Sequence, residues 1–548
     1  MNSQQEMPLN DKQNHSDDKI EKLLKPKKTI RIAVSGDVLI TELERKIIDT
    51  DEFQRLRRIR QLGTAYYVYP TAVHTRFDHS LGTLHMAKAM IDAIRNNVHV
   101  SDKESEILKE DEVLIRLHAL IHDVPHVPYG HSFEDELGIF KRHDNNKDRI
   151  NYFIGEDSTI GKLIIDALGK KFHNRLFNIY NHDPEDDDPN ILKEDYYIYD
   201  IVSNTVCADL LDYLKRDDYF CNLSLHPEFR FLKFLFLKND KKGRRRVLIR
   251  LSEKGKEPRP DTLSDIHRLL NARYYLAERV YFHHAKIITA AMLGRSMTEV
   301  VNSGDITEED LYAQTDKSLH TDDILLDYLC NSNQDIAANL AKSLRRRELH
   351  KSFEVFDKRF FQKSQNRDHD TDVIGAVVEK VGNRETRTRI ENSWADFINV
   401  EHGDILIYAP STDMNSKEAK MRVMWRGEQT PVADITNEDV SRKLESIRQS
   451  HENLWKLHVF VKPSLDDEQK EIIRDAVAYE FTKLGNNHLF KDVINYWRTH
   501  SEDVQNISKE IDHEGMPEAV KELKNQYHKS PNLKKLITSV ITDHFQKK

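Results

Sequence analysis

Between Leu43 and about residue 345, apolar positions recur mostly at helical spacing, as in LERKIIDTDEFQRLRRI and LGTLHMAKAMIDAI, and this predicts a mainly α core. Ahead of it, IRIAVSGDVLITE (30–42) alternates apolar and polar residues around Ser35-Gly36-Asp37, the pattern of a short hairpin. RVLIRL (246–251) predicts a second hairpin, followed by a turn at Glu257–Pro260. Past about residue 370 the texture changes. DILIYAP (404–410), KMRVMW (420–425) and KLHVFVKP (456–463) read as strands, mixed with helical stretches such as 466–484. The pattern therefore divides the chain into a polar, disordered tail (1–27), a mainly α core with short β-hairpins (28–345), and a smaller α+β C-terminal lobe with a helical tail (346–548). The acidic stretch Asp183 to Asp188, bounded by prolines, is expected on the surface.

Composition adds limits. Of 548 residues, 32% are charged and 38% hydrophobic, and no apolar run approaches the roughly 20 residues that span a bilayer. The three cysteines, Cys207, Cys221 and Cys330, are too few and scattered for a disulfide framework or a cysteine zinc site, so a cytoplasmic setting is expected. A net charge of −9 argues against general nucleic-acid binding. The local clusters Arg244-Arg245-Arg246 and Arg345-Arg346-Arg347 read first as solvated faces or subunit contacts, and only second as binders of nucleotide or nucleic-acid phosphates.

Three segments carry metal-type side chains: Arg76-Phe77-Asp78-His79, just before a helical run; His122-Asp123, ending a helix that starts near Glu112; and Asp209 within ADLLDYLKRD. Adjacent residues on a helix point about 100° apart, so only an ion at the helix end or between helices can use both His122 and Asp123. Two imidazoles and two carboxylates suit a divalent ion such as Fe, Mn, Zn or Ni, with positions left for water and phosphate. A lone His-Asp pair is commonplace, but here His126 and His131 follow within a turn built from Pro125, Pro128 and Gly130. His118 and His122 have one-turn spacing but lack the glutamate of a zinc protease, so His118 reads as structural.

On these residues the chain resembles the HD superfamily, and within it the deoxynucleoside triphosphate triphosphohydrolases, whose core is an HD-domain helical bundle. The likeness lies in FQRLRRIRQLGTAYYVYPTAVHTRFDHSLGT (53–83), IHDVPHVPYGHSFE (121–134), DLLDYLKRD (209–217) and RYYLAERVYFHH (273–284). The resemblance implies that His79, His122, Asp123 and Asp209 hold a divalent metal, with Mg joining the candidate ions. It implies cleavage between the 5′ oxygen and the α-phosphorus of a dNTP, releasing nucleoside and triphosphate. His131 matches the general acid, Glu134 a carboxylate that orients it, and His126, His143 and Arg76 groups near the phosphates. Lys215 and Arg273 are further candidate phosphate cations. Substrate choice would rest on Gln61, Leu62, Tyr213, Asp217 and Tyr281: Gln61 and Asp217 match the sugar 3′-hydroxyl binders, while Leu62 and Tyr281 match residues that exclude a ribose 2′-hydroxyl. Asp49, Gln54 and Arg57 match positions where animal members bind a guanine nucleotide activator between subunits, and the likeness implies a homo-oligomer, dimer or tetramer. Departures stand beside these matches. Leu210 replaces a phosphate-contacting lysine, Ala277 replaces a histidine one turn before Tyr281, and the stretch between His131 and His143 is shorter. Action on monophosphates, cyclic nucleotides or oligonucleotide ends, or nucleotide sensing with little turnover, therefore stays open.

Overall fold

The computed structural model describes residues 18–473 apart from 99, 182–187, 253–258, 358–372, 411–420, 436–437, 468 and 471–472. Expectations for 1–17, most of the acidic stretch 183–188, the start of the 257–260 turn, most of the 466–484 helix and the tail to 548 lie outside these residues. The expected tail is structured from residue 18: residues 18–24 are helical and strand β1 spans Pro26–Ile32. It pairs antiparallel with β2 (Gly36–Thr41), as the alternating pattern predicts, and Gly36 takes the positive φ of 73° that begins the return strand.

The centre of the molecule is helical. Three helices matter most for the site: α1 (Arg76–Arg95), α2 (Lys109–Ile121) and α3 (Ala208–Cys221). Helix α2 starts a turn earlier than expected, because Leu108 is its cap residue and Glu110, Asp111 and Glu112 sit in the first turn, where acidic side chains suit the helix dipole. Two further helices, α4 (His284–Asn302) and α5 (Asp322–Cys330), pack against each other. The second hairpin forms as expected, from β3 (Leu235–Asn239) and β4 (Arg245–Arg250).

The later strands do not stand apart from this core. Strand β7 (Arg422–Trp425) pairs parallel with β4 and antiparallel with β8 (Glu428–Pro431), giving the sheet order β3-β4-β7-β8. A second sheet, β5-β9-β6, joins Lys351–Asp357, Lys456–Val461 and Ile405–Tyr408. In β6 successive side chains face opposite ways. Leu406 and Tyr408 enter the large core, while Ile405 and Ile407 join a second apolar cluster with Trp394 and Ile398 of helix α6 (Arg384–Ile398).

The arginine cluster 244–246 corrects an expectation. Arg246 is fully buried and bonds Asp200 through Nε and Nη2, both at 2.8 Å, and Arg244 is buried against Asp240. Antiparallel pairing turns alternate residues of β4 inward, and the helix Tyr196–Ser203 packed against it supplies the carboxylate of Asp200. These arginines are interior ion pairs, not a solvated basic face.

Candidate metal centre and active site

Local capping fixes where each expected ligand emerges. The Thr75 side chain accepts from the Asp78 N–H, and Asp78 Oδ2 accepts from the Thr75 N–H at 3.1 Å. Helix α1 therefore starts at Arg76, and RFDH forms its first turn instead of preceding it. His122 caps the C-terminal end of α2, with Asp123 in the turn that follows. Cys207 caps α3, which puts Asp209 in that helix's first turn.

The four side chains converge. His79 Nε2 lies 2.9 Å from Asp209 Oδ1, 3.3 Å from His122 Nε2 and 3.9 Å from Asp123 Oδ2. His122 Nε2 lies 3.5 Å from Asp123 Oδ1 and 3.8 Å from Asp209 Oδ1. Both imidazoles have their other nitrogen committed. His122 Nδ1 meets the Ala119 carbonyl at 2.8 Å, and a carbonyl only accepts, so Nδ1 carries the proton and Nε2 offers its lone pair inward. His79 Nδ1 meets Asp212 Oδ2 at 2.8 Å, and Arg216 grips that carboxylate with two bonds of 2.8 Å. Oriented imidazoles beside carboxylates, with no thiolate, fit a divalent cation. Burial opposes charge on Asp123, but Arg76, donating at 2.7 Å, and the neighbouring histidines outweigh it and hold its pKa well below the usual range. His118 remains structural: burial pushes its pKa down to about 3, and it lies between the rings of Tyr180 and Tyr199.

Three more histidines adjoin this centre. The His126 ring centroid lies 3.5 Å from that of His143 and 4.9 Å from that of His131. His126 Nε2 is 3.2 Å from Asp123 Oδ1, without hydrogen-bond alignment. The expected pairing of Glu134 with His131 does not form. His131 Nδ1 instead meets Asp135 Oδ2 at 2.7 Å, while Glu134 bonds His143 Nδ1 at 3.0 Å and the buried Arg149 guanidinium. The cause is local: Ser132–Glu136 winds as a π-helical turn capped by His131, which sets residue i+4 beside the imidazole and turns residue i+3 into the core. Burial works against the Asp135 charge, but His131 and Arg142 prevail and lower its pKa. Burial also disfavours protonated His143, but Glu134 prevails and raises its pKa. His131 stays 45% exposed, open to a ligand, whereas His126 is buried.

The expected sugar-side residues also meet. Asp217 accepts from the Tyr281 hydroxyl at 2.7 Å and faces His74 Nε2 at 2.9 Å, and the His74 carbonyl accepts from the Gln61 N–H at 3.0 Å. Gln61 Oε1 is buried without a hydrogen-bond partner, Leu62 packs on the main core, and the charge of Arg273 reaches Tyr213. Lys215, a candidate phosphate cation, places its ammonium 4.5 Å over the Phe229 ring. Of the expected activator residues, Gln54 and Arg57 meet: Arg57 Nε donates to Gln54 Oε1 at 2.9 Å and its guanidinium lies 3.5 Å over Phe77, while Asp49 accepts from Arg45 at 2.6 Å. Sequence reading passed over Asp212, His74, Asp135 and Arg149. Asp212 was visible in principle, three residues past Asp209 on one helix face, and Asp135 stands at i+4 from His131.

The HD domain family model matches residues 76–217, the span that contains all four candidate ligands, and the HD associated region model matches 263–487. The chain thus carries an HD domain followed by an HD associated region. It is similar to deoxynucleoside triphosphate triphosphohydrolases. A Dictyostelium discoideum protein named as a homolog of the deoxynucleoside triphosphate triphosphohydrolase SAMHD1 is 29% identical over 339 residues, 60% of this chain and 60% of its own. The Danio rerio protein of that name is 26% identical over 49% of this chain and 44% of its own. An uncharacterised protein from Methanocaldococcus jannaschii is 29% identical over 53% of this chain and 54% of its own. The chain thus spans between 44% and 60% of the length of these relatives. A solved hypothetical protein from Aquifex aeolicus shares the fold, with a TM-score of 0.55 at 19% identity over 81% of this chain and 99% of that one.

Proposed function

We propose that the chain hydrolyses deoxynucleoside triphosphates to deoxynucleoside and inorganic triphosphate. The observation that carries this reading is the convergence of His79, His122, Asp123 and Asp209 beside an exposed His131 backed by Asp135. A divalent cation held by those four residues supplies Lewis-acid polarisation of a phosphoryl group. The protein's own groups do the rest. Cleavage at the α-phosphorus leaves a strongly basic 5′ alkoxide, and His131 donates the proton it needs, oriented by Asp135 through Nδ1. Arg76, buried against Asp123, fixes that ligand's charge, while His126 and His143 line the approach between the centre and His131. Asp217, Tyr281 and Gln61 form the sugar corner, where Asp217 and the unpartnered Gln61 Oε1 accept from a 3′-hydroxyl and Leu62 and Tyr281 exclude a ribose 2′-hydroxyl. Asp49, Gln54 and Arg57 bind an activating guanine nucleotide or dNTP at a contact between subunits of a homo-oligomer.

Incubating the manganese-loaded chain with dGTP and separating the products tests this directly. Deoxyguanosine and tripolyphosphate in equal amounts support it, and release of orthophosphate or pyrophosphate counts against it. A second reading, hydrolysis of other nucleotide esters, is favoured by Leu210 and Ala277, which are buried apolar residues at two positions where triphosphate contacts are expected. Turnover of monophosphates or cyclic nucleotides without tripolyphosphate release would select it.

A further inference from the structure

The turn that carries His131 is held at its far end by a residue 250 positions later. Arg387 of α6 is buried, and its Nη1 and Nη2 donate to the Leu137 carbonyl at 3.3 and 3.2 Å, while Nη1 also donates to the Val381 carbonyl at 2.8 Å. Leu137 is the C-cap of the π-helical turn whose N-cap is His131. In the same turn, Glu136 pairs with the buried Lys286 of α4. Helix α6 is anchored in its own right: Arg295 of α4 bonds Glu391 at 2.6 Å, and Glu391 Oε1 accepts from the Ile407 N–H of β6 at 2.8 Å. A buried guanidinium spent on backbone carbonyls is costly, and its planar fork fixes the geometry of the carbonyls it serves.

We propose that Arg387 is a positioning residue for the proton-donating turn. By closing the end opposite His131 it sets where that imidazole reaches, so the α+β region governs turnover while metal and substrate binding stay with the helical core. The inference rests on His131 being the general acid. Displacing a catalytic group by about 1 Å costs up to about 100-fold in rate.

The test is a double-mutant cycle in the full, manganese-loaded chain, assayed by tripolyphosphate release from dGTP, with amide exchange followed over residues 132–137. Arg387→Met is expected to keep metal content and to hold KM within about twofold, while kcat falls about 10- to 100-fold. Exchange in the turn should accelerate, with α1 and α3 unchanged. In a His131→Gln background the same substitution should change kcat by less than about twofold, because the group it positions is gone. Arg387→Lys should recover part of the rate, and it carries the cycle if the methionine variant does not fold. A wild-type kcat in Arg387→Met, or an undiminished loss without His131, overturns the inference. If His131→Gln itself keeps its rate, or dGTP is not cleaved, the proposed function fails instead. The exchange data then decide the clamp alone: an unchanged turn overturns it.

Discussion

At the scale of single residues, the contrast between two neighbouring carboxylates decides much. Asp135 touches His131, and Glu134 does not. Asp135→Asn should therefore lower kcat about tenfold or more with metal content intact, as loss of the group that orients a general acid does. Glu134→Gln should act mainly on stability, by about 1–3 kcal/mol, because it removes one of the two carboxylates, Glu134 and Glu308, that pair with the buried Arg149. Kinetics and urea unfolding on the two variants check this, and reversed effects would restore the pairing expected from sequence. That pairing misled because HSFEDE offers carboxylates at both i+3 and i+4, and only the π-helical winding chooses between them. The candidate metal ligands were legible for the opposite reason: their residue types are scarce together, and their motifs hold their own capping signals.

At the scale of elements, the centre depends on how closely α1 approaches α3. Gly82 faces Asp212 and Arg216, and a Cβ there would collide with both side chains. Gly82→Ala should therefore displace the carboxylate that orients His79 and weaken metal affinity about 10- to 100-fold, measured by competition with a chelating dye. Affinity equal to wild type would show that Asp212 does not support the ligand. Helix α5 makes a second prediction. Its first residue, Asp322, is buried and accepts from the N–H groups of Arg60 and Tyr129 at 2.9 and 3.0 Å. Burial pushes its pKa up to about 6 from 3.8. The folded state thus prefers the proton, and this contribution is present in full below about pH 4 and lost as pH rises through 6, about 3 kcal/mol in all. Asp322→Asn has no such term, so its urea midpoint should gain on wild type between pH 4 and 7.5. A difference independent of pH would refute it. Asp322 escaped sequence reading because its role is set by two loops 193 and 262 residues away.

At the scale of the whole molecule, helical periodicity and alternating strands revealed the two kinds of architecture, but not how they interlock. The β6 run ILIY is apolar throughout, which marks burial on both faces without naming what covers each. The structure sets one face on the helical core and the other on α6. Likewise the parallel pairing of β4 with β7 joins residues 249 and 423, a contact no local pattern carries. Assembly belongs to this scale too. Sizing by light scattering, with and without GTP and dNTPs, should show a nucleotide-dependent shift to dimers or tetramers, and a strict monomer at full activity would contradict it.

The most direct measurement is metal content and tripolyphosphate release taken on the same samples of wild type, His122→Ala and Asp209→Ala. Wild type should carry a divalent ion stoichiometric with the chain, and both variants should lose the ion together with dGTP cleavage. Variants that stay folded and cleave dGTP at the wild-type rate without bound metal would contradict this.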